Sequence, residues 1–279
     1  MKLRGMQDHK LLDLFYTNPS IAKRCIDFVE EKIPASRRKH YLEPAAGQGS
    51  FSKQLKHCVS VDIQPKMKGA KKADFFKLDK KDLFPKISSE KICVIGNPPF
   101  GKNSSLAVKF FNHATSFGDV IAFIVPKTFK KESLQRKLNK SYWLVDEMDI
   151  PKNSFTLGDA LHDTPSVFQI WERREKTRST PKVDLDNEVV EFVKTPEEAD
   201  LAVRRVGGRT GKASDKVFES APVSHYFLKI KDKVKYPSND LIEKINAIDF
   251  TELANATAGV RSISKGEFIL ALKQILSLN

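Results

Sequence analysis

Cysteine is scarce in this chain. The three present, Cys25, Cys58 and Cys93, are odd in number and contain no close pair. That excludes a disulfide framework and a cysteine-built zinc site. All three lie in apolar segments and read as buried thiols in a reducing compartment. Long hydrophobic runs are missing as well, and none approaches the ~18 apolar residues of a membrane span. The start, Met1-Lys2-Leu3-Arg4-Gly5-Met6, has no apolar core, so no secretory signal is expected. Asp8 and Asp13 speak against a mitochondrial address. An intracellular protein is expected, cytoplasmic or nuclear, with an organelle left open. The glycine-rich phosphate loop ending in Lys-Ser/Thr is absent, which leaves an ATPase without support. The six histidines show no metal-ligand spacing, and no metal is expected. No nucleophilic triad stands out, and there are no internal repeats or low-complexity tracts.

What is plentiful is positive charge. The net charge is +13, which points to a polyanionic partner such as nucleic acid. The basic residues cluster at Lys66, Lys68, Lys71 and Lys72, at Lys127, Lys130 and Lys131, at Arg136, Lys137 and Lys140, and at Arg204, Arg205, Arg209 and Lys212. The second cluster follows a predicted strand end, where α/β sheets place their ligands. Phosphate contacts there would position a nucleic acid without reading its sequence.

Over roughly the first 175 residues, short apolar runs alternate with helical patterns. The runs are Tyr41-Leu42-Glu43, Val59 to Ile63, Ala73 to Phe76, Ile92 to Gly96 and Val120 to Val125. Ile21, Cys25, Ile26, Phe28 and Val29 recur at helical spacing, as do Leu106, Val108, Phe110 and Phe111. This alternation predicts a mostly parallel sheet with helices on both faces. Leu144 to Ile150 and Ser166 to Trp171 follow without a helix between them, and their loop carries Pro151, Gly158 and Pro165; they are expected as an antiparallel pair at the sheet edge. A catalytic domain over 1–175, a charged linker over 176–188 with Pro181, and a small α+β region over 189–279 are expected. In the last, Val189 to Val193, Leu201 to Val206 and His225 to Ile230 read as strands. Thr195-Pro196-Glu197-Glu198 and Ser264-Lys265-Gly266-Glu267 read as helix starts. The second opens an amphipathic helix with Phe268, Ile269, Leu272, Ile275 and Leu276 on one side.

Four residues, Asn97-Pro98-Pro99-Phe100, end the Ile92 to Gly96 run. An amide oxygen and a backbone carbonyl there can accept both hydrogens of an exocyclic amine. Phe100 can stack on the ring that carries it, once that ring has left its helix or loop. Upstream, Glu43-Pro44-Ala45-Ala46-Gly47-Gln48-Gly49-Ser50-Phe51 follows the first core strand, and its glycines allow a close backbone approach to a ligand. Asp62 ends the second strand and could accept from ribose hydroxyls. It comes about 13 residues after the glycines, against the ~20 usual for dinucleotide folds, so a nucleotide is indicated but not NAD. Asp74-Phe75 stands where an adenine moiety could be held. His113 reads as a core histidine, and His162 and Asp163 as an ordinary turn near the substrate face. Trp143 and Trp171 read as core.

Together these pieces resemble class I S-adenosylmethionine-dependent methyltransferases of the N6-adenine branch, over residues ~15–171. Phe15-Tyr16-Thr17-Asn18-Pro19 resembles the N-terminal cofactor motif, Glu43 to Phe51 motif I, Asp62 the motif II acid, Asp74-Phe75-Phe76 motif III and Asn97 to Phe100 catalytic motif IV. This is the gamma-type order of DNA adenine methyltransferases. The loop Phe100-Gly101-Lys102-Asn103, the run Ile124-Val125-Pro126-Lys127 and the terminal strand pair are similar to structural-RNA adenine methyltransferases instead. The resemblance implies a Rossmann-like seven-stranded, mostly parallel sheet with an antiparallel edge strand. It implies S-adenosyl-L-methionine as cofactor, held by Tyr16, Thr17, Glu43, Pro44, Ala45, Gly47, Gly49, Asp62, Ile63, Asp74, Phe75 and Asn97. The catalytic residues it implies are Asn97, Pro98, Pro99 and Phe100. Lys102, Lys127, Lys130, Lys131, Arg205 and Arg209 are the expected nucleic-acid contacts, and the C-terminal region is the candidate for substrate recognition. DNA is slightly favoured over RNA by the form of motif I. Two other classes stay open: a protein glutamine methyltransferase, which uses a similar turn, and a non-catalytic nucleic-acid-binding subunit.

Overall fold

The computed structural model describes residues 15–157, 160–179, 183–257 and 259–278. Met1 to Leu14, Gly158 and Pro181, which bear on the readings of the N-terminus, of one loop and of the linker, lie outside the described residues. The chain divides into two compact units, Met1–Thr180 and Pro181–Asn279.

The first unit is built on a seven-stranded sheet. From edge to edge its strands are Lys71–Lys72, Cys58–Asp62, His40–Pro44, Ile92–Gly96, Val120–Pro126, Ser166–Arg173 and Tyr142–Asp149. The first five are mutually parallel, and Ser166–Arg173 runs against both neighbours. The mostly parallel Rossmann-like sheet is therefore as expected. The antiparallel pair does lie at the edge, with the reversed strand its inner member. No helix separates the two strands, so the chain can only turn back alongside itself. Every residue of Ile92–Gly96 and Val120–Pro126 is buried, which is why these strands read as continuous apolar runs. Strand order reverses between His40–Pro44 and Ile92–Gly96, and a crevice opens beyond the carboxyl ends of such neighbours.

Two helices carry the patterns read from the sequence. Pro19–Lys32 buries Ala22, Cys25, Ile26 and Val29. It starts at Asn18, whose Oδ1 accepts from Ser20 N at 3.0 Å, with proline at the first helical position. Ser105–Ala114 buries Ala107, Phe110, Phe111 and Ala114. Phe28 on the first helix meets Phe168 at a ring separation of 6.4 Å, and Phe111 on the second meets Trp171 at 5.5 Å.

Two local expectations change. The third strand is only Lys71–Lys72, and Asp74 instead caps a 3-10 turn, Phe75–Lys77, by accepting from Phe76 N at 3.1 Å. After the motif I glycines comes not a helix but the 3-10 turn Ser52–Gln54, because Cys58 already begins the next strand. The sequence also gave no hint of a small antiparallel sheet of Tyr16–Thr17, Phe155–Leu157 and Ala160–His162.

The second unit is α+β. Its antiparallel sheet has the order Val190–Val193, His225–Ile230, Leu201–Arg204, Ala213–Ser214. Helices Ser238–Ala247, Thr251–Asn255 and Lys265–Ile275 accompany it. Leu201, Val203, Leu228, Ile245 and Phe268 lie in its core. The Ser264 capping box is formed in full: Ser264 Oγ accepts from Glu267 N, and Glu267 Oε2 accepts from Ser264 N. The Thr195 signal yields only a 3-10 turn, Pro196–Glu198, with no side-chain cap. The strand at Leu201 follows too soon for an α-helix to develop.

Candidate active site

The motif I turn is held by carboxylates rather than by glycine alone. Ala45 and Gly47 both take positive φ, 63° and 52°, a conformation that costs little only at glycine. Asp62 Oδ2 accepts from Gly47 N at 2.7 Å, and Asp62 Oδ1 from Gln64 N at 2.6 Å. The expected ribose acceptor therefore also fixes the turn, and each oxygen retains a further acceptor site. Glu43 Oε2 accepts from Ser52 N at 2.9 Å. Burial pushes the Glu43 carboxyl up to about 7, against hydrogen bonds from Ser52 and Phe51 that lower it, and the Asp62 charge adds to the rise. A side chain at Gly47 would come within 3.0 Å of the Tyr16 ring, and one at Gly49 within 2.1 Å of Met67 Sδ. Gly47 thus admits the Tyr16 ring beside the turn, while Gly49 makes room for Met67.

These groups line a cavity of about 490 Å³, within the ~300–1,000 Å³ usual for small-molecule sites. Of the expected cofactor residues, Tyr16, Thr17, Glu43, Ala45, Gly47, Asp62, Ile63, Asp74, Phe75 and Asn97 reach its wall; Pro44 and Gly49 do not. Phe51, Phe76, Leu106 and Phe110 also line it, the first two within motifs I and III but outside the expected cofactor set. The last two were legible only as the apolar stripe of a helix. Three carboxylates and several aromatic rings in one wall suit a nucleoside cofactor that carries cationic groups.

The Asn97 to Phe100 turn forms the partition between this cavity and a second, narrow cleft. The cleft is lined by Phe15, Asn97, Pro98, Pro99, Phe100, Phe155 and Thr164. Its volume is about 10 Å³, room for about one water. Phe15, Asn97 and Pro99 face both spaces. Asn97 Nδ2 donates to Phe15 O at 3.4 Å, whereas Asn97 Oδ1 is buried and has no partner among the described residues. Phe100 is 9% exposed, and its carbonyl accepts from Leu106 N and Ala107 N, both at 3.1 Å. Phe15 stacks on His162 with centroids 4.1 Å apart, a role for His162 that its place in a loop did not suggest. His113 is a packed histidine: its Nε2 lies 2.8 Å from Phe75 O, among Phe75, Phe76 and Phe117. Trp171 is core, whereas Trp143 is half-buried and donates to Lys176 O at 2.7 Å.

The expected phosphate contacts divide into two kinds. Lys127 pairs with Asp149 at 2.8 Å, and Lys130 bridges Glu147 at 3.0 Å and Asp149 at 2.9 Å. These two lysines are matched by carboxylates the sequence reading did not place beside them. Lys102 is exposed and Lys131 half-buried. In the second unit, Arg205 donates to Val223 O at 2.8 Å and lies 5.6 Å from the Tyr226 ring, while Arg209 is exposed.

The family described as the EDM2 methyltransferase-like domain matches residues 51–183. That span contains Asp62, Asp74 and the Asn97 turn, and begins just after the motif I glycines. No curated protein matches the chain. Among solved structures, a candidate RNA methyltransferase from Pyrococcus horikoshii is 16% identical, covering 62% of this chain and 93% of that one at a TM-score of 0.44. The 23S rRNA methyltransferase ErmE is 14% identical, covering 58% and 70% at 0.36. An S-adenosylmethionine-dependent methyltransferase from Leishmania major is 12% identical, covering 55% and 72% at 0.39. Similarities this low say nothing about substrate. The first unit thus carries a stretch similar to a methyltransferase-like domain, and the cofactor this implies is S-adenosyl-L-methionine.

Proposed function

We propose that this chain transfers a methyl group from S-adenosyl-L-methionine to the N6 amino group of adenine in a nucleic acid. The observation that carries the reading is Asn97 Oδ1, a buried acceptor with no donor among the described residues, on the wall shared by the two cavities. Leaving such a group unpaired costs about 1–3 kcal/mol. A ligand that brings a donor removes that cost, and an exocyclic amine brings two. Pro98, buried in the same turn, offers its carbonyl to the second. Phe100 and Phe15 supply ring surface for the base, and the narrow cleft must widen to admit it.

The cofactor would be held by Glu43, Asp62 and Asp74 with the Tyr16 side of the cavity, and it supplies an activated methyl carbon on a sulfonium. A neutral amine needs no strong base before attack. The work left to the protein is to align amine and methyl carbon and to exclude water. Asn97 and the Pro98 carbonyl bind the developing ammonium better than the planar amine, and that difference lowers the barrier. The surplus proton leaves afterwards to solvent or a nearby acceptor. The net charge of +13 favours a polyanionic substrate over a peptide. The form of motif I makes DNA the first polymer to test.

Labelled methyl transfer to matched DNA, RNA and peptide pools, followed by nucleoside analysis, tests the reading. N6-methyladenine is the expected product, and label on glutamine or on cytosine overturns it. Asn97→Ala is expected to lower turnover by about 100-fold, the scale for one electrostatic group at the reacting centre, while cofactor affinity changes little.

A further inference from the structure

We propose that the second unit binds the phosphates of the nucleic acid in the cavity beside the turn from Gly207 to Lys212. This inference rests on the nucleic-acid reading above. The cavity measures about 370 Å³, and Arg209, Lys212, Arg261 and Asp249 are the charged residues in its wall. Three cations thus face one carboxylate, and Asp249 Oδ1 is already engaged by Thr251 N at 2.8 Å. The imbalance is local. Residues 181–279 hold 15 Lys and Arg and 15 Asp and Glu, so this unit has no general excess of positive charge that would put cations here by default.

The turn is firm and its open side is lined with donors. Gly207 takes φ +102°. Gly207 N donates to Arg261 O at 2.9 Å, Gly211 N to Arg204 O at 2.7 Å and Thr210 Oγ1 to Gly207 O at 2.6 Å. Within this frame the N–H groups of Gly208 and Arg209 donate to no described group, and no atom lies within 4 Å of where a Gly208 side chain would stand. Arg209 and Arg261 are exposed, and neither guanidinium has a hydrogen bond or ion pair among the described residues. Lys212 Nζ is tethered to Asn246 O at 2.7 Å, which keeps its charge at the rim. Planar guanidinium forks beside free backbone N–H groups match phosphate oxygens. Unlike Lys127 and Lys130, these arginines need not leave a carboxylate first.

The test uses the full chain and two fluorescein-labelled oligonucleotides of mixed sequence, one duplex DNA and one single-stranded RNA. Affinity is read by anisotropy across a salt series. For the double variant Arg209→Ala/Arg261→Ala, the salt slope is expected to fall by about 1.8 on DNA or about 1.4 on RNA, one phosphate contact per arginine. The loss should be similar for every sequence. Arg209→Lys/Arg261→Lys should keep most of the slope, and cofactor affinity should be unchanged in both variants. The polymer whose slope falls by its own expected amount is the one bound at this site. An unchanged slope overturns the proposal. So does an equal loss in Lys229→Ala/Lys244→Ala, which removes the same charge from exposed positions elsewhere in the unit. Competition by poly-glutamate as effective as by oligonucleotide also overturns it, pointing to an acidic peptide instead. Slope loss as expected, with no methyl transfer to either polymer, refutes the activity proposed above and leaves the phosphate site standing. Methyl transfer with an unchanged slope does the reverse.

Discussion

Asn97 and Glu43 are polar groups held where packing alone would favour carbon, and each carries a consequence. For Asn97 it is a buried oxygen without a donor among the described residues. For Glu43 it is a carboxyl whose value is raised by burial from the ordinary 4.5 to about 7. Between these two values the folded chain holds a proton that the unfolded chain has released. Stability contributed by the protonated group is present in full below about pH 4.5 and is lost as pH rises through about 7, a change of about 3 kcal/mol. Without cofactor, the thermal midpoint of Glu43→Gln should therefore fall less over that window than the native midpoint, as measured by calorimetry against pH. Equal pH dependence in both proteins would show that Glu43 does not hold the proton. Asn97 was legible from its neighbours in sequence. The extent of burial at Glu43 was not, because it depends on what packs over the end of its strand.

The turn after Asn97 shows how elements place the site. Gly101 takes φ +67°, and an added Cβ would stand 2.6 Å from Leu106 Cβ and 3.1 Å from Leu106 N. Asn103 and Ser104 then take positive φ in succession, at 54° and 61°, before the helix Ser105–Ala114. Ser104, buried at 3%, fixes the bend through Thr128, with hydroxyls 2.7 Å apart. Gly101→Ala should cost about 1–3 kcal/mol in a denaturant titration. It should also lower turnover more than cofactor affinity, since Leu106 and Ala107 anchor the Phe100 carbonyl; normal stability and turnover together would refute this account. The helices were legible because their apolar spacing agrees with their packing. The two capping signals show the limit of that rule. Ser264 and Thr195 carry similar chemistry, and what separates them is how soon the chain is drawn into the next strand.

Among the described residues the main hydrophobic cores of the two units share no residue, one ending at Trp171 and the other starting at Val189, with a smaller cluster of Ala202, Val217 and Phe227 beside the second. Residues 183–278 expressed alone should therefore melt cooperatively in calorimetry, and a featureless melt would show that this core is insufficient by itself. Net charge divides as sharply. With the second unit balanced, the +13 lies entirely within residues 1–180. There the edge-strand lysines Lys71 and Lys72 and their exposed neighbours Lys66 and Lys68 serve at the least to block strand addition at the sheet edge.

By itself the sequence determined the alternation that makes a parallel sheet, the Asn97 turn at the end of a buried strand, and most of the polar residues that line the large cavity. These follow from local spacing and from side-chain chemistry that does not depend on distant partners. Only the tertiary structure decided which lysines are neutralised and that Asp62 holds the glycine turn as well as facing the cavity. It alone decided that Phe15 is laid across two cavities by a sheet no local pattern announces, and that Arg209 and Arg261 meet around one opening. Each of those outcomes depends on contacts between residues far apart in the chain. Pairing, burial and orphaned hydrogen-bonding groups are properties of such contacts, and no window of sequence contains them.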